Sequence, residues 1–466
     1  MDQNKTGVWF PLSEPQKSRW FRYQRDSMGR GQHNNGFTAR LFGLIDGDTL
    51  VLALQQLIEK HPMLRARFRF HHGEPQQLVE SSVEAKVVSF EARSFTEDEL
   101  MQKIMEDLFL PFDLNCPPLI RIHLYHRSDS EGVMLFVFDH IVIDGWSYWK
   151  LLDELGQFLE ANASGAPRTC NPELSGSSYQ DFVEWQKDWL TGPKAERQLC
   201  YWLKYLGDEL PVLQVPSLIN TTAQGKLVVQ YERFALSLPA LLTRRVRELA
   251  GQQGCSIFVP MLLAYKILLA RYASATEVVV GCPMPARTKK LWEDTVGDFV
   301  NMIAIRSRFE QEVSVAGALR RLRDDVLLGM SNQDYPFNVL VNKRGLPRNA
   351  DVHPIYQTMF IFQNARGSGW RGLWSILDTD QLLEWGGLNI APFPIYQTDI
   401  NLDMQLVLEA VELEDHVRCD FKFDSRLFDQ ATMADAAQHF IRLLEEMVEN
   451  PAGQVAELSM LSQNEL

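Results

Sequence analysis

Apolar positions follow two periods along this chain, and each change of period marks an element. Met134 to Phe138 is a continuous apolar run, too short for a helix and rich in strand formers, which predicts a strand buried on both faces. Beyond it Leu151, Leu152, Leu155, Phe158 and Leu159 fall on one face at helical spacing, with Ser147 as the expected cap. Arg121 to His126 alternates as a strand, Ile122 and Leu124 facing one way and Arg121, His123 and Tyr125 the other. Phe37 to Ile45 alternates likewise. A helix over 48–60 turns Leu50, Leu54, Leu57 and Ile58 inward and stops before Pro62. Near the start, Ser13 and Gln16 have the spacing of a capping box. Residues 161–178, rich in Ala, Ser, Gly, Pro and Asn, read as a loop and a domain junction. A helix then runs through Trp189, Tyr201, Trp202 and Tyr205. The second half repeats the alternation: helix Ser256–Arg271, strand Glu277–Gly281, strands Leu402–Val411 and His416–Phe423, and a closing helix over 431–450. The class is α/β.

Length and charge narrow the reading. The 466 residues suffice for two or three domains of about 150 residues each. A formal net charge of −14 argues against nucleic acid, which needs a basic face. The six cysteines are scattered without a C-x-x-C pair, so neither a zinc site nor a disulfide framework is expected, and free thiols in a reducing cytoplasm fit. No stretch has the roughly 18 apolar residues of a membrane span, and the first residues lack a signal peptide's apolar segment. His71-His72 before Gly73 reads as a solvated hairpin turn rather than a metal site, and Glu445-Glu446 as a solvated helix face.

Candidate chemistry sits where the buried strand gives way to the helix, in Asp139-His140-Ile-Val-Ile-Asp144-Gly145. Buried charge is costly unless paired or used, and a strand end leading into a turn is a rigid place to present side chains. His140 reads either as a core histidine satisfied by a carbonyl or as a functional group. Gly145 reads either as a plain turn glycine or as a backbone amide available to an oxyanion.

His-x-x-x-Asp-Gly after a hydrophobic strand resembles the condensation domains of nonribosomal peptide synthetases, which carry His-His-x-x-x-Asp-Gly. His140, Asp144 and Gly145 match, and Asp139 replaces the first His. Further stretches resemble that family in order: Leu12-Ser-Glu-Pro-Gln16 with Trp20-Phe21, His61-Pro-Met-Leu-Arg65-Ala-Arg-Phe68, Tyr179 to Gln186, Thr295-Val-Gly-Asp-Phe-Val-Asn301, Gln333 to Phe337 and Tyr356 to Asn364. The resemblance spans nearly the whole chain. It implies two chloramphenicol-acetyltransferase-like α/β subdomains, over residues 1–178 and 179–466, in a V-shaped pseudo-dimer with a substrate tunnel between them. It implies an acyltransferase that joins a carrier-bound acyl or peptidyl thioester to the amine of an acceptor aminoacyl thioester. His140 is the expected catalytic group, with Gly145 beside it. Asp144 is expected to be structural and paired with Arg287 of the other subdomain, tying the two halves together. Asp139 is expected to face away from the site, bonded to backbone or to a cation, and Arg65 to support the site strand. Trp146, Ser147, Tyr179, Asn301, Gln363 and Asn364 are candidate tunnel residues. The implied partners are donor and acceptor carrier proteins, which bring the phosphopantetheine arms, and, if the chain is excised from a longer synthetase rather than free-standing, a following adenylation domain. The domain itself is expected to bind no cofactor or metal, to act as a monomer and to have no membrane partner.

Three alternatives stay open. A hydroxyl acceptor would make an ester and lean harder on His140 as base. The chain could be a non-catalytic docking platform. Asp139, Asp144 and Ser147 also spell the Asp-x-x-x-x-Asp-x-x-Ser of heterocyclisation domains, although the later motifs are those of condensation.

Overall fold

The computed structural model describes residues 7–25, 34–43, 46–165, 177–215, 231–309, 313–345, 353–364, 382–393, 395 and 404–461. Residues 166–176 of the expected junction loop, 44–45 and 402–403 of two expected strands, and Cys170 lie outside these. The chain forms two compact units. One comprises Met1–Gly192, Pro285–Val300 and Gly369–Asp399; the other comprises Pro193–Met284, Asn301–Ser368 and Ile400–Leu466. A boundary at 178/179 follows chain order, whereas the units interleave, because late segments pair with early strands.

The strands are β1 (Phe10–Pro11), β2 (Asn34–Phe42), β3 (Ala66–His71), β4 (Glu74–Val79), β5 (Val87–Glu91), β6 (Ile120–His126), β7 (Glu131–Asp139), β8 (Tyr231–Ser237), β9 (Glu277–Met284), β10 (Asn301–Arg308), β11 (Thr358–Asn364), β12 (Leu383–Trp385), β13 (Leu388–Pro392), β14 (Leu406–Glu412) and β15 (Val417–Asp424). The first unit holds a six-stranded sheet in the order β12-β13-β2-β7-β6-β5 and a small sheet β1-β4-β3. In the larger sheet β5 and β6 run parallel and the other neighbours antiparallel. The run expected from its unbroken apolar character is β7, which lies inside the sheet and is buried from Gly132 to Asp139. Burial on both faces removes the need for alternation. β6 keeps the expected two faces, and both are buried: Arg121, His123 and Tyr125 face Asp107, whose carboxylate accepts from Tyr125 Oη at 2.6 Å. His72 and Gly73 take positive φ between β3 and β4, as a tight hairpin requires.

The second unit's sheet runs β10-β9-β11-β14-β15-β8, with β9–β11 and β11–β14 parallel. Its helix Phe258–Tyr272 is buried from Val259 to Ala270, which includes Lys266. Lys266 Nζ donates to Ile305 O at 2.6 Å and Ser307 Oγ at 2.8 Å, and burial lowers its pKa to about 7.

Two helical expectations need correction. The stretch Trp189 to Tyr205 is two helices, Tyr179–Leu190 and Pro193–Leu206, because Thr191-Gly192 turns before a proline suited to a helix's first position. The helix after β7 is Gly145–Ala163, capped by Asp144 and not by Ser147. Asp144 is extended, and its carboxylate accepts from the Ser147 amide at 2.8 Å, as an N-cap does for the third helical residue.

Candidate active site

The strand end, the cap and a late crossing segment assemble within the first unit. Asp144 is fully buried. Its Oδ2 accepts from Arg287 Nη1 at 2.6 Å and from the Phe299 amide at 3.1 Å, and its Oδ1 accepts from Arg287 Nη2 at 3.1 Å. Burial alone would raise its pKa; the Arg287 charge and these bonds outweigh it and hold the carboxyl below its ordinary range. Ser147, displaced from the capping role, uses its hydroxyl otherwise. Its Oγ donates to Gly297 O at 3.1 Å and accepts from Arg287 Nη2 at 2.8 Å. The guanidinium also lies over the Phe299 ring, 4.2 Å from its centroid. Asp144 and Arg287 therefore form a buried pair, but not between the two halves as expected. Arg287 belongs to the same compact unit as Asp144, so the pair pins segment 285–300 to that unit.

His140 follows β7 directly, with its side chain 25% exposed. Its Nε2 is 3.0 Å from Arg19 Nη2, and its Nδ1 is 3.9 Å from Asp298 Oδ1. Arg19 is anchored on Asp298, Nε to Oδ2 at 2.5 Å and Nη2 to Oδ1 at 3.4 Å. Asp298 is fully buried, and burial pushes its carboxyl up to about 6 against the pull of Arg19. Its carbonyl accepts from Tyr179 Oη at 2.5 Å, and Tyr179 Oη lies 2.8 Å from Ser13 Oγ. Ser13 is also half of the capping box expected from sequence: its Oγ accepts from the Gln16 amide, and Gln16 Oε1 accepts from the Ser13 amide. One serine thus starts the helix that carries Arg19 and supports the tyrosine that holds Asp298.

Asp139 is buried beside this group. Its Oδ1 accepts from the Ile141 amide at 2.9 Å, while Oδ2 has no hydrogen-bond partner among the described residues. Burial pushes it up to about 6. Gly145 is exposed, and a Cβ there would meet nothing within 4 Å, so its backbone borders open space. As the first helical residue, its amide has no intrahelical acceptor.

Of the other candidates, Trp146 is 39% exposed and donates from Nε1 to Glu293 O at 3.0 Å. Tyr179 is buried. Arg65 bonds elsewhere: it donates to Ile58 O and Glu59 O, carbonyls that the end of helix Gly47–Lys60 leaves open, and to Glu80 O just after β4. Asn301, Gln363 and Asn364 belong to the second unit. There Asn301 bonds Gln333 O, Tyr335 O and the Phe337 amide, and Gln363 bonds Glu409. Sequence reasoning missed Arg19 and Asp298. Asp298 carried a signal, being a lone carboxylate in the apolar run Val296-Gly-Asp-Phe-Val300 that has to find a cation. Arg19, one polar residue on a polar helix, carried none.

Among the described residues no three His, Cys, Asp or Glu side chains group to hold a metal ion, and no helix is long and apolar enough to cross a membrane.

Residues 9–466 match the family model described as Condensation domain. Gramicidin S synthase 2 of Brevibacillus brevis is 28% identical over 457 residues, covering 98% of this chain and 10% of that protein. Surfactin synthase subunit 1 of Bacillus subtilis (strain 168) is 30% identical over 457 residues, covering 98% of this chain and 12% of that protein. The chain thus spans a small fraction of these relatives' length. Among solved structures, holo-AB3403, a four-domain nonribosomal peptide synthetase bound to AMP and glycine, superposes with a TM-score of 0.85 at 20% identity, over 98% of this chain and 34% of that one. The X-domain from teicoplanin biosynthesis superposes with a TM-score of 0.81 at 20% identity, over 99% of each chain. With its mixed α/β units, its two six-stranded sheets and its Asp144–Arg287 pair, this chain belongs to the condensation domain family of nonribosomal peptide synthetases.

Proposed function

We propose that this chain is an acyltransferase that moves a carrier-bound acyl or peptidyl group from its thioester to the amine of an acceptor aminoacyl thioester, forming an amide. The observation that carries the reading is a partly exposed imidazole, His140, at the end of a buried strand, in the strand-to-helix turn that closes on the open backbone of Gly145. Family membership supports it, as does the likeness to synthases far longer than this chain. Phosphopantetheine arms on donor and acceptor carrier proteins would bring both thioesters, and an adenylation domain would load the acceptor.

The chemistry asks little of the protein beyond placement. An α-amino group has a pKa of about 7.7–8.0, so an appreciable fraction is neutral without help. The thiolate is an adequate leaving group. Holding the reactants together supplies about 7–11 kcal/mol, more than the about 3–5.5 kcal/mol of a general base. His140 would orient the amine, and the Gly145 amide would donate to the developing oxyanion.

The test is reconstitution with loaded donor and acceptor carrier proteins, read by intact-protein mass spectrometry for wild type and His140→Ala. A mass shift onto the acceptor that disappears in the variant supports the reading. A product lighter by one water would replace it with heterocyclisation, and transfer to a hydroxyl analogue alone would replace the amide with an ester. No transfer from any of several donors, together with stable binding of a carrier protein or tailoring enzyme, would replace it with a docking platform.

A further inference from the structure

The Arg19 contact on His140 selects a tautomer. A guanidinium only donates hydrogen bonds. With Arg19 Nη2 3.0 Å from Nε2, the imidazole accepts there and carries its proton on Nδ1. Nδ1 faces Asp298 Oδ1 at 3.9 Å, beyond hydrogen-bond reach. A second proton on Nε2 would set N–H against the N–H of a cation, so protonation requires breaking the Arg19 contact. Arg19 can release Nε2 without leaving its place, because its Nε rests on Asp298 Oδ2 at 2.5 Å. Of the other charged groups at the site, Asp144 is committed to Arg287 and two backbone amides. Asp139 is committed at Oδ1 to the Ile141 amide.

We propose that Arg19, anchored on Asp298, is a positioning residue that keeps His140 neutral with its Nε2 lone pair preserved, and that yields this lone pair to the N–H of the incoming nucleophile. The inference rests on the transfer reading above. In that transfer the amine nitrogen bonds the thioester carbon, the carbon–sulfur bond breaks, and the amine proton ends on the departing thiolate. The imidazole starts and ends neutral. Without Arg19 the ring loses the adjacent guanidinium, whose charge disfavours an imidazolium and whose N–H occupies the Nε2 lone pair, so His140 would take up a proton at higher pH.

The experiment uses the full chain labelled with ¹⁵N-histidine, with His140→Gln assigning the resonance. Long-range ¹⁵N–¹H spectra of the wild type are expected to show a neutral ring protonated on Nδ1 from pH 8 to pH 6. In Arg19→Met the imidazolium is expected to appear by pH 6, and the ratio of transfer rates at pH 8 and pH 6 to rise about fivefold or more over wild type. A change that merely loosened the fold would lower both rates together. Wild type protonated on Nε2, or Arg19→Met titrating as wild type does, overturns the proposal. Should Arg19→Met fail to fold, Arg19→Met/Asp298→Asn removes both charges and supplies the comparison; its Nδ1–H preference is expected to be lost, and retention overturns the proposal. A wild type that transfers nothing yet shows the expected tautomer sinks the transfer reading and the handover to a nucleophile with it, and leaves only Arg19's hold on the His140 tautomer.

Discussion

Tyr179 lays its ring against the bare α-carbon of Gly297: a Cβ at 297 would stand 2.1 Å from Tyr179 Cδ2. Gly297 O also accepts from the Asp144 amide at 3.2 Å and from Ser147 Oγ. Gly297→Ala must therefore push Tyr179 away or drag the segment that holds the cap. The expected cost is about 1–3 kcal/mol, read as a lowered melting temperature, with slower transfer. Tyr179→Leu in the same chain should restore part of the stability. If the double variant is no better than Gly297→Ala alone, the ring is not what the methyl strikes.

Breaking the Asp144–Arg287 pair from one side leaves a buried charge without its partner. Asp144→Ala or Arg287→Ala should cost about 3–5 kcal/mol each. Asp144→Leu/Arg287→Met, which removes both charges, should cost clearly less than the sum of the two single losses. Denaturant midpoints of the three variants decide it, and simple additivity would mean that the pair is not coupled.

Asp139 gives a pH signature. Its folded pKa of about 6 lies above the 3.8 of an ordinary carboxyl, so between those values the folded chain binds more protons than the unfolded chain. The favourable contribution is therefore full below the unfolded pKa and is lost as pH rises through about 6. Asp139→Asn, which never ionises, should be more stable than wild type at pH 8 by about 1–3 kcal/mol, the gap closing towards pH 4. A gap independent of pH would locate the effect in packing.

Lys266 runs the other way. Its folded pKa of about 7 lies below 10.5, so the unfolded chain binds more protons between them and stability climbs with pH across that window. Lys266→Met should flatten the climb and stabilise the chain at pH 7 by about 1–3 kcal/mol, after the loss of the bonds to Ile305 O and Ser307 Oγ. Unchanged melting curves at pH 7 and pH 9 would count against a strained lysine.

What could be read ahead of the structure was local. The apolar run of β7, the Ser13–Gln16 box and the amphipathic helix ending before His61-Pro62 are written within a few residues of themselves. The Asp144 cap was misassigned to Ser147 because either residue type can cap, and only the backbone shows which is extended. Arg287 was legible through family resemblance alone. Arg19 and Asp298 are 279 positions apart, and no period links a helix residue to a loop carboxylate at that distance. The same holds for β13, which pairs with β2 about 350 positions earlier.

That late strand bears on how the chain is made. The first unit's sheet gains β13 and β12 only from residues 383–392, long after Gly192 has been synthesised. At roughly 5–20 residues per second, β2 waits on the order of 20–70 s on the ribosome with an open edge. Fragments stopping near 192 would keep that edge for good, and should be recovered as aggregates unless residues up to Pro392 are supplied in trans.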